Sequence, residues 1–262
     1  MKAYYFNRAI PLLVLSLGYI TCVAQASSSN NTTLKYKKHT VSSVFVSEGA
    51  AVGDVNRDGK IDILAGHLWY EAPQWKAHPI HADTLNPVKG YSTTFLNFCS
   101  DINGDGWPDL IRFDVPGGQC VWYENPGKHA SLWRRHLVLE SAGIETPLFV
   151  DVDNDGHKDI ICNDAEKKEV IWLQSPSRKG DTIWQRHAIS TDPALGTHRY
   201  THGVGWGDVN GDGRKDVIIR SGWWESPGMY ASTTGPFIRP NSGQSALICS
   251  CWTLIRMEMQ IL

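Results

Sequence analysis

One acidic phrase, repeated four times, constrains this chain more than any other feature. The phrase is Asp-x-Asx-x-Asp-Gly-x-x-Asp. It occurs as Asp54, Asn56, Asp58, Gly59, Asp62; as Asp101, Asn103, Asp105, Gly106, Asp109; as Asp151, Asp153, Asp155, Gly156, Asp159; and as Asp208, Asn210, Asp212, Gly213, Asp216. The first aspartates are 47, 50 and 57 residues apart, so the repeating unit is about fifty residues long. Thirteen of the 27 acidic residues lie in these loops, a density that repels itself unless a cation neutralises it.

Alternating oxygen ligands at positions 1, 3 and 5, with Gly at 6 for the sharp turn, suit Ca²⁺. The carbonyl at position 7 (Lys60, Trp107, His157 or Arg214) is a further expected ligand, and the aspartate at position 9 completes the set. The sequence thus predicts up to four structural calcium ions. An EF-hand is excluded, because it needs Glu at position 12 and a helix on either side. Position 12 is Ala65, Arg112, Cys162 or Ile219, and each loop runs into a short β-branched stretch ("DILAG", "DLIRF", "DIICN", "DVIIR") that reads as a buried strand.

Two further phrases recur with the loop. "WYEAP", "WYENP", "WLQSP" and "WWESP" begin at 69, 122, 172 and 223; "WKAHPI", "WRRHLV" and "WQRHAI" begin at 75, 133 and 184. One unit therefore reads strand, acidic loop, strand, Trp-rich strand and W-x-x-H strand. Four short strands per fifty residues predict a β-propeller of four-stranded antiparallel blades. Residues that recur once per unit are expected to pack between units, so the Trp and His repeats are assigned to packing. Blades are placed near 44–83, 90–140, 144–190 and 200–228. "YKKHTV" at 36–41 matches the W-x-x-H strand, which predicts a ring-closing outer strand over 36–42. Two closures remain open: an incomplete arc of a larger ring, or a four-bladed ring whose last outer strand is this N-terminal one.

The chain resembles the FG-GAP/VCBS repeat family, the calcium-loop propellers that include the integrin α-subunit head, over about residues 36–228. The resemblance implies that each acidic loop joins the innermost strand to the next and that calcium braces one face of the disc. It does not choose a function, since the family includes adhesion modules, scaffolds of exported enzymes and lyase domains. The "WYENP" and W-x-x-H phrases are also similar to the propeller part of aldos-2-ulose dehydratases.

Residues 1–26 read as a secretory signal peptide: Lys2 and Arg8, an apolar run, and Ala24-Gln25-Ala26 before Ser27. Residues 27–35 read as a linker. The expected location is therefore outside the cytoplasm: extracellular, periplasmic or at the cell surface, with no membrane span in the mature chain. The net charge of −2 becomes about −4 without Lys2 and Arg8, and four calcium ions would bring it to about +4. No basic stripe for nucleic acid is present. Cys99 and Cys162 sit in apolar strands and read as buried thiols. The tail 229–262 resembles nothing upstream. Two nucleotides out of frame, its codons permit "LDVDKDGDADL", a fifth loop about 44 residues after Asp208, which predicts a slipped reading frame and an open continuation in the gene.

In a propeller, the segments that enter each innermost strand meet opposite the calcium loops. Here they are "NPVKGYSTTF", "GIETPLFV" and "GTHRYTHGVGW", which differ between units as a binding site requires. The candidates at this mouth are Lys89, Tyr91, Glu145, His198, Arg199, Tyr200 and His202, with His67, Arg112 and Asn163 following the second strand. They suit carbohydrate or carboxylate binding, or proton abstraction beside a carbonyl. The functions left open are a module binding a glycan or a cell-surface protein, a lyase or dehydratase acting on a sugar-derived carbonyl compound, and a truncated fragment without function. Triad, P-loop, zinc and dinucleotide signatures are absent.

Overall fold

The computed structural model describes residues 36–82, 90–129, 131–227 and 235–239. Residues 1–39 form a unit of their own, and its described part, 36–39, is exposed and carries no regular structure. The signal peptide, the linker, Lys89 and most of the tail lie outside the described residues.

From Thr40 onward the described chain is all strand and turn, without a helix. The first sheet pairs β1 (Ala51–Gly53), β2 (Asp62–Ala65), β3 (Leu68–Glu71) and β4 (Lys76–Pro79) in sequence order, every pair antiparallel. The same plan recurs in β5 (Leu96–Ser100), β6 (Asp109–Phe113), β7 (Gly118–Glu124) and the first half of β8 (Arg134–Val150). The second half of β8 opens the third copy, followed by β9 (Asp159–Asp164), β10 (Glu169–Gln174) and β11 (Gln185–Ser190). Strand β8 thus closes one unit and starts the next, fusing them into seven strands, with its register shifting between Gly143 and Leu148 where Ile144 turns to φ 73°. The last sheet is β12 (Gly205–Gly207), β13 (Asp216–Ile219), β14 (Gly222–Trp224) and β15 (Phe237–Ile238).

Strand β15 corrects two expectations. Residues 36–42 form no strand, and the fourth unit does not lack an outer strand, because Phe237 and Ile238 pair with Trp224 and Trp223. A two-residue strand between Pro236 and Pro240 is too short to carry a period, so no pattern in the sequence announces it.

The β-branched runs after each acidic loop are explained by burial on both faces. Successive residues of a strand point to opposite sides. Leu110 joins the core against the first sheet, with Leu64 and Val121, while Ile111 joins the core against the third unit, with Trp122, Ile160 and Ile171. Ile160 and Ile161 split likewise, Ile161 packing with Val170, Val217, Ile219 and Trp224. Such strands have no solvent face, so their sequences do not alternate. Cys120 and Cys162 sit in the middle core as free, fully buried thiols, while Cys99 is half-buried, its thiol pushed up to about 12 by burial.

Candidate functional site

The four acidic loops connect the first strand of each unit to the second, and each closes through the same hydrogen bonds. In the first loop, one oxygen of Asp54 accepts from the Asp58 N–H at 2.9 Å and the other from Gly59 N–H at 2.9 Å. Asp101, Asp151 and Asp208 hold the corresponding pairs (Asp105 and Gly106, Asp155 and Gly156, Asp212 and Gly213). Asn56, Asn103, Asp153 and Asn210 each present Oδ1 to the N–H of position 5, at 3.0–3.1 Å. Position 5 then accepts the N–H of position 7 in all four. Glycine at position 6 has φ of 83–92°, a region that side chains avoid.

The aspartate at position 9 differs from the others, because Asp62, Asp109, Asp159 and Asp216 are fully buried. Its two oxygens accept the N–H of position 2 and an N–H after the Trp-rich strand: for Asp109 these are Ile102 at 2.9 Å and Asn125 at 2.8 Å. The same fork links Asp62 to Val55 and Ala72, Asp159 to Val152 and Ser175, and Asp216 to Val209 and Ser226. Burial pushes the Asp109 carboxyl up to about 8 and that of Asp159 up to about 6, and raises Asp62 as well. Each oxygen keeps a second lone pair, so a bound cation and the fork are compatible.

In the third loop three carboxylates converge as donors for a cation. One ligand oxygen from each of Asp151, Asp153 and Asp159 lies within 4.8 Å of the other two. The first and fourth loops supply part of their own neutralisation. Lys60 Nζ is 2.7 Å from Asp58 and Arg214 Nη2 is 2.5 Å from Asp212, and both carboxyls sit below the ordinary range, Asp58 through Lys60 and Asp212 mainly through the Arg214 N–H. The third loop has four aspartates, with His157 at position 7 instead of Lys or Arg.

Four of the sequence candidates at the mouth, His198, Arg199, Tyr200 and His202, gather in one cleft of about 900 Å³, lined also by Lys168 and Arg220 among others, with no carboxylate in its lining. Its floor segment, 196–203, is fixed by backbone bonds: Ile144 N–H to Arg199 O at 2.9 Å, Glu145 N–H to Thr201 O at 3.1 Å. Asn163, fully buried, donates to Gly196 O at 2.8 Å and His198 O at 3.1 Å. Glu145 reaches His202 Nδ1 at 2.9 Å, and Arg199 lies over the Tyr200 ring at 5.9 Å. Thus Glu145, Asn163 and residues 198–202 come together. Arg112 and His67 belong to another group, in which Arg112 contacts His81 at 3.1 Å and Asp114 at 3.0 Å and the rings of His67 and His81 meet edge-on. Tyr91, exposed, packs edge-on against Phe95 and is not in the cleft lining. Lys168 and Arg220 were not anticipated, because each follows a strand whose length the sequence leaves open.

Gly143 carries this assembly. A β-carbon there would stand 1.9 Å from Asn163 Oδ1 and 3.2 Å from the Arg199 backbone. Gly143→Ala should therefore cost about 1–3 kcal/mol by overpacking. Urea denaturation would show it as a lowered midpoint at unchanged slope, and an unchanged midpoint would mean that segment 196–203 yields freely.

The Trp and His repeats do not simply pack between units. Within a unit they are cross-strand partners: Trp69 stacks on His78 with centroids 4.3 Å apart, Trp122 on His136 at 4.2 Å, and Trp172 on His187 at 4.4 Å.

Residues 101–162 match the family model of the FG-GAP-like repeat, a stretch that holds the second and third acidic loops. No curated protein matches the chain. Among solved structures, the chain is similar to a lectin of Agrocybe aegerita described by its recognition of non-reducing terminal N-acetylglucosamine. The identity is 19%, the TM-score 0.45, and the likeness covers 72% of this chain and 51% of the lectin. The chain therefore spans about half the length of that lectin.

Proposed function

We propose, proceeding from the FG-GAP-like repeat that residues 101–162 carry, that the chain is an exported, calcium-braced binding module. The four units are blades of a propeller, calcium occupies the acidic loops at one end of the strands, and a ligand binds in the basic cleft at the other end. The third loop holds calcium most tightly, having four aspartates and neither Lys nor Arg at position 7, while its Lys158 lies over the Phe149 ring at 5.7 Å. The first and fourth bind more weakly, since calcium must displace Lys60 or Arg214 there. Calcium here stabilises the loops rather than reacting with a ligand.

The observation that carries the binding role is the lining of the cleft, which holds Lys168, Arg199, Arg220, His198 and His202 without an acidic side chain. Such a surface selects a carboxylate-bearing partner, either an acidic glycan or an acidic protein segment, and Tyr200 offers a ring face beside the charges. Export is the expectation from residues 1–26, and among the described residues no helix is long and apolar enough to cross a membrane.

Calorimetric titration of the calcium-loaded chain with oligogalacturonate and with neutral cello-oligosaccharides tests this. The acidic ligand should bind with affinity that falls with salt, and Lys168→Ala or Arg220→Ala should each weaken it roughly tenfold, the loss of one charge-assisted hydrogen bond. Equal binding of the neutral sugars, or none of either, would sink the cleft assignment. The Glu145–His202 pair favours a second reading, a lyase in which His202, oriented by Glu145, removes a proton beside a carbonyl. An unsaturated product absorbing in the ultraviolet in the same mixtures would mark that activity.

A further inference from the structure

The third position of every acidic loop is held from outside the loop. Asn56 Nδ2 donates to Glu71 Oε1 at 3.3 Å, Asn103 Nδ2 to Glu124 Oε1 at 3.2 Å, and Asn210 Nδ2 to Glu225 Oε1 at 2.9 Å. In the third unit the types are exchanged, and Gln174 Nε2 donates to Asp153 Oδ2 at 2.5 Å. Each pair therefore contains one amide and one carboxylate, with the charge on the strand partner three times and on the loop partner once. Both changes fall in the same unit.

The strand partner is itself held by the W-x-x-H histidine. His78 Nε2 lies 2.8 Å from Glu71 Oε2, His136 Nε2 lies 2.9 Å from Glu124 Oε2, and His187 Nε2 lies 3.2 Å from Gln174 Oε1. Each of these rings is fixed by the stacked Trp. The exchange reverses one link of the chain while leaving every group partnered. Glutamate accepts twice, from His and from Asn, whereas Gln174 has its Oε1 toward His187 and donates its amide to Asp153. The fourth unit has Ile238 opposite Trp223, where the others have His, and there Arg214 Nη2 approaches Glu225 at 3.9 Å instead.

We propose that the Trp, His and Glu/Gln of each of the first three units form a positioning relay that aims the position-3 oxygen into the acidic loop. Its working unit is an amide–carboxylate pair whose single charge can sit on either partner. Two carboxylates facing each other at this distance would repel. An amide–carboxylate pair is instead a charge-assisted bond that leaves Oδ1 of position 3 free for the position-5 N–H, as all four loops show. The role of that oxygen as a cation ligand rests on the calcium reading above, while the pair itself does not.

The test is a double-substitution cycle in the second unit of the full chain: Asn103→Asp, Glu124→Gln, and both together, which recreates the pairing of the third unit. Melting is followed with calcium and with excess chelator, and terbium luminescence sensitised by Trp107 reports the loop. Asn103→Asp should lower the melting temperature in chelator by about 3–6 °C, and adding Glu124→Gln should restore most of that loss. Glu124→Ala should raise the terbium concentration needed for half-saturation by about tenfold or more. Additive shifts in the cycle would overturn the relay. If Asn103→Asp alone fails to fold, a folded double variant supports the pair and an unfolded one overturns it. If the parent chain responds to neither calcium nor terbium, the calcium reading fails, while the melts in chelator still judge the pair.

Discussion

Asp109→Ala should destabilise the chain by about 3–5 kcal/mol, the largest loss expected from any single carboxylate. Its two oxygens are the acceptors for the buried N–H groups of Ile102 and Asn125. An N–H left without a partner in the interior costs about 1–3 kcal/mol, and this substitution orphans two. The affected backbone lies where the acidic loop, the Trp-rich strand and the neighbouring unit meet, since Asn125 Nδ2 also donates to Val55 O at 3.0 Å and Pro108 O at 2.9 Å. Asp109→Asn keeps one acceptor and should fall between parent and alanine. Asp105→Ala, at the solvent side of the same loop, should cost much less in the absence of calcium. Urea melts in chelator would rank the three, and equal losses for Asp105→Ala and Asp109→Ala would show that the fork at position 9 carries no special share of the fold.

That ranking bears on what the sequence could and could not reveal. The repeat, the strand order within a unit and the acidic loops were legible because each residue type recurs at fixed offsets and each offset has a geometric reason. Position 9 reads in the sequence as one more ligand, and only the structure shows Asp62, Asp109, Asp159 and Asp216 buried and forked onto two backbone segments. Burial depends on the neighbouring unit, which local spacing does not encode. The Trp and His phrases were visible as well, yet their cross-strand stacking depends on register. One sequence signal did point to the relay: the third unit exchanges Asn and Glu for Asp and Gln at two positions 21 residues apart, which only contact explains. The mouth residues were legible as a set of differing loops but not as a cleft. Arg112 proved to be committed to Asp114 and His81, whereas Lys168 and Arg220 entered from strand ends that no periodicity fixes.

Removing calcium should lower the melting temperature by about 10–20 °C. Loops of this class in exported modules bind with dissociation constants near 0.1–1 mM. At about 1 mM calcium and a constant of about 0.1 mM, each occupied loop adds roughly 1.4 kcal/mol, and four add nearly 6 kcal/mol. For a domain of this length each kcal/mol moves the midpoint by about 2–4 °C. The competing possibility is that the loops are stable without a cation, since every first-position carboxylate already accepts two backbone N–H groups. Those bonds fix the loop's shape but leave most of its charge in place in the third loop, where Asp151, Asp153, Asp155 and Asp159 crowd together with neither lysine nor arginine at position 7 and with Lys158 over the Phe149 ring. The third loop should therefore dominate the response. Asp155→Ala should remove more of the calcium-dependent shift than Asp58→Ala, because Lys60 already partners Asp58 at 2.7 Å. Calorimetric melts with 2 mM calcium and with excess chelator decide between the two pictures. A midpoint that chelation leaves in place would mean that the backbone bonds alone hold the loops, and an equal response from both variants would remove the argument that internal cations grade the four sites.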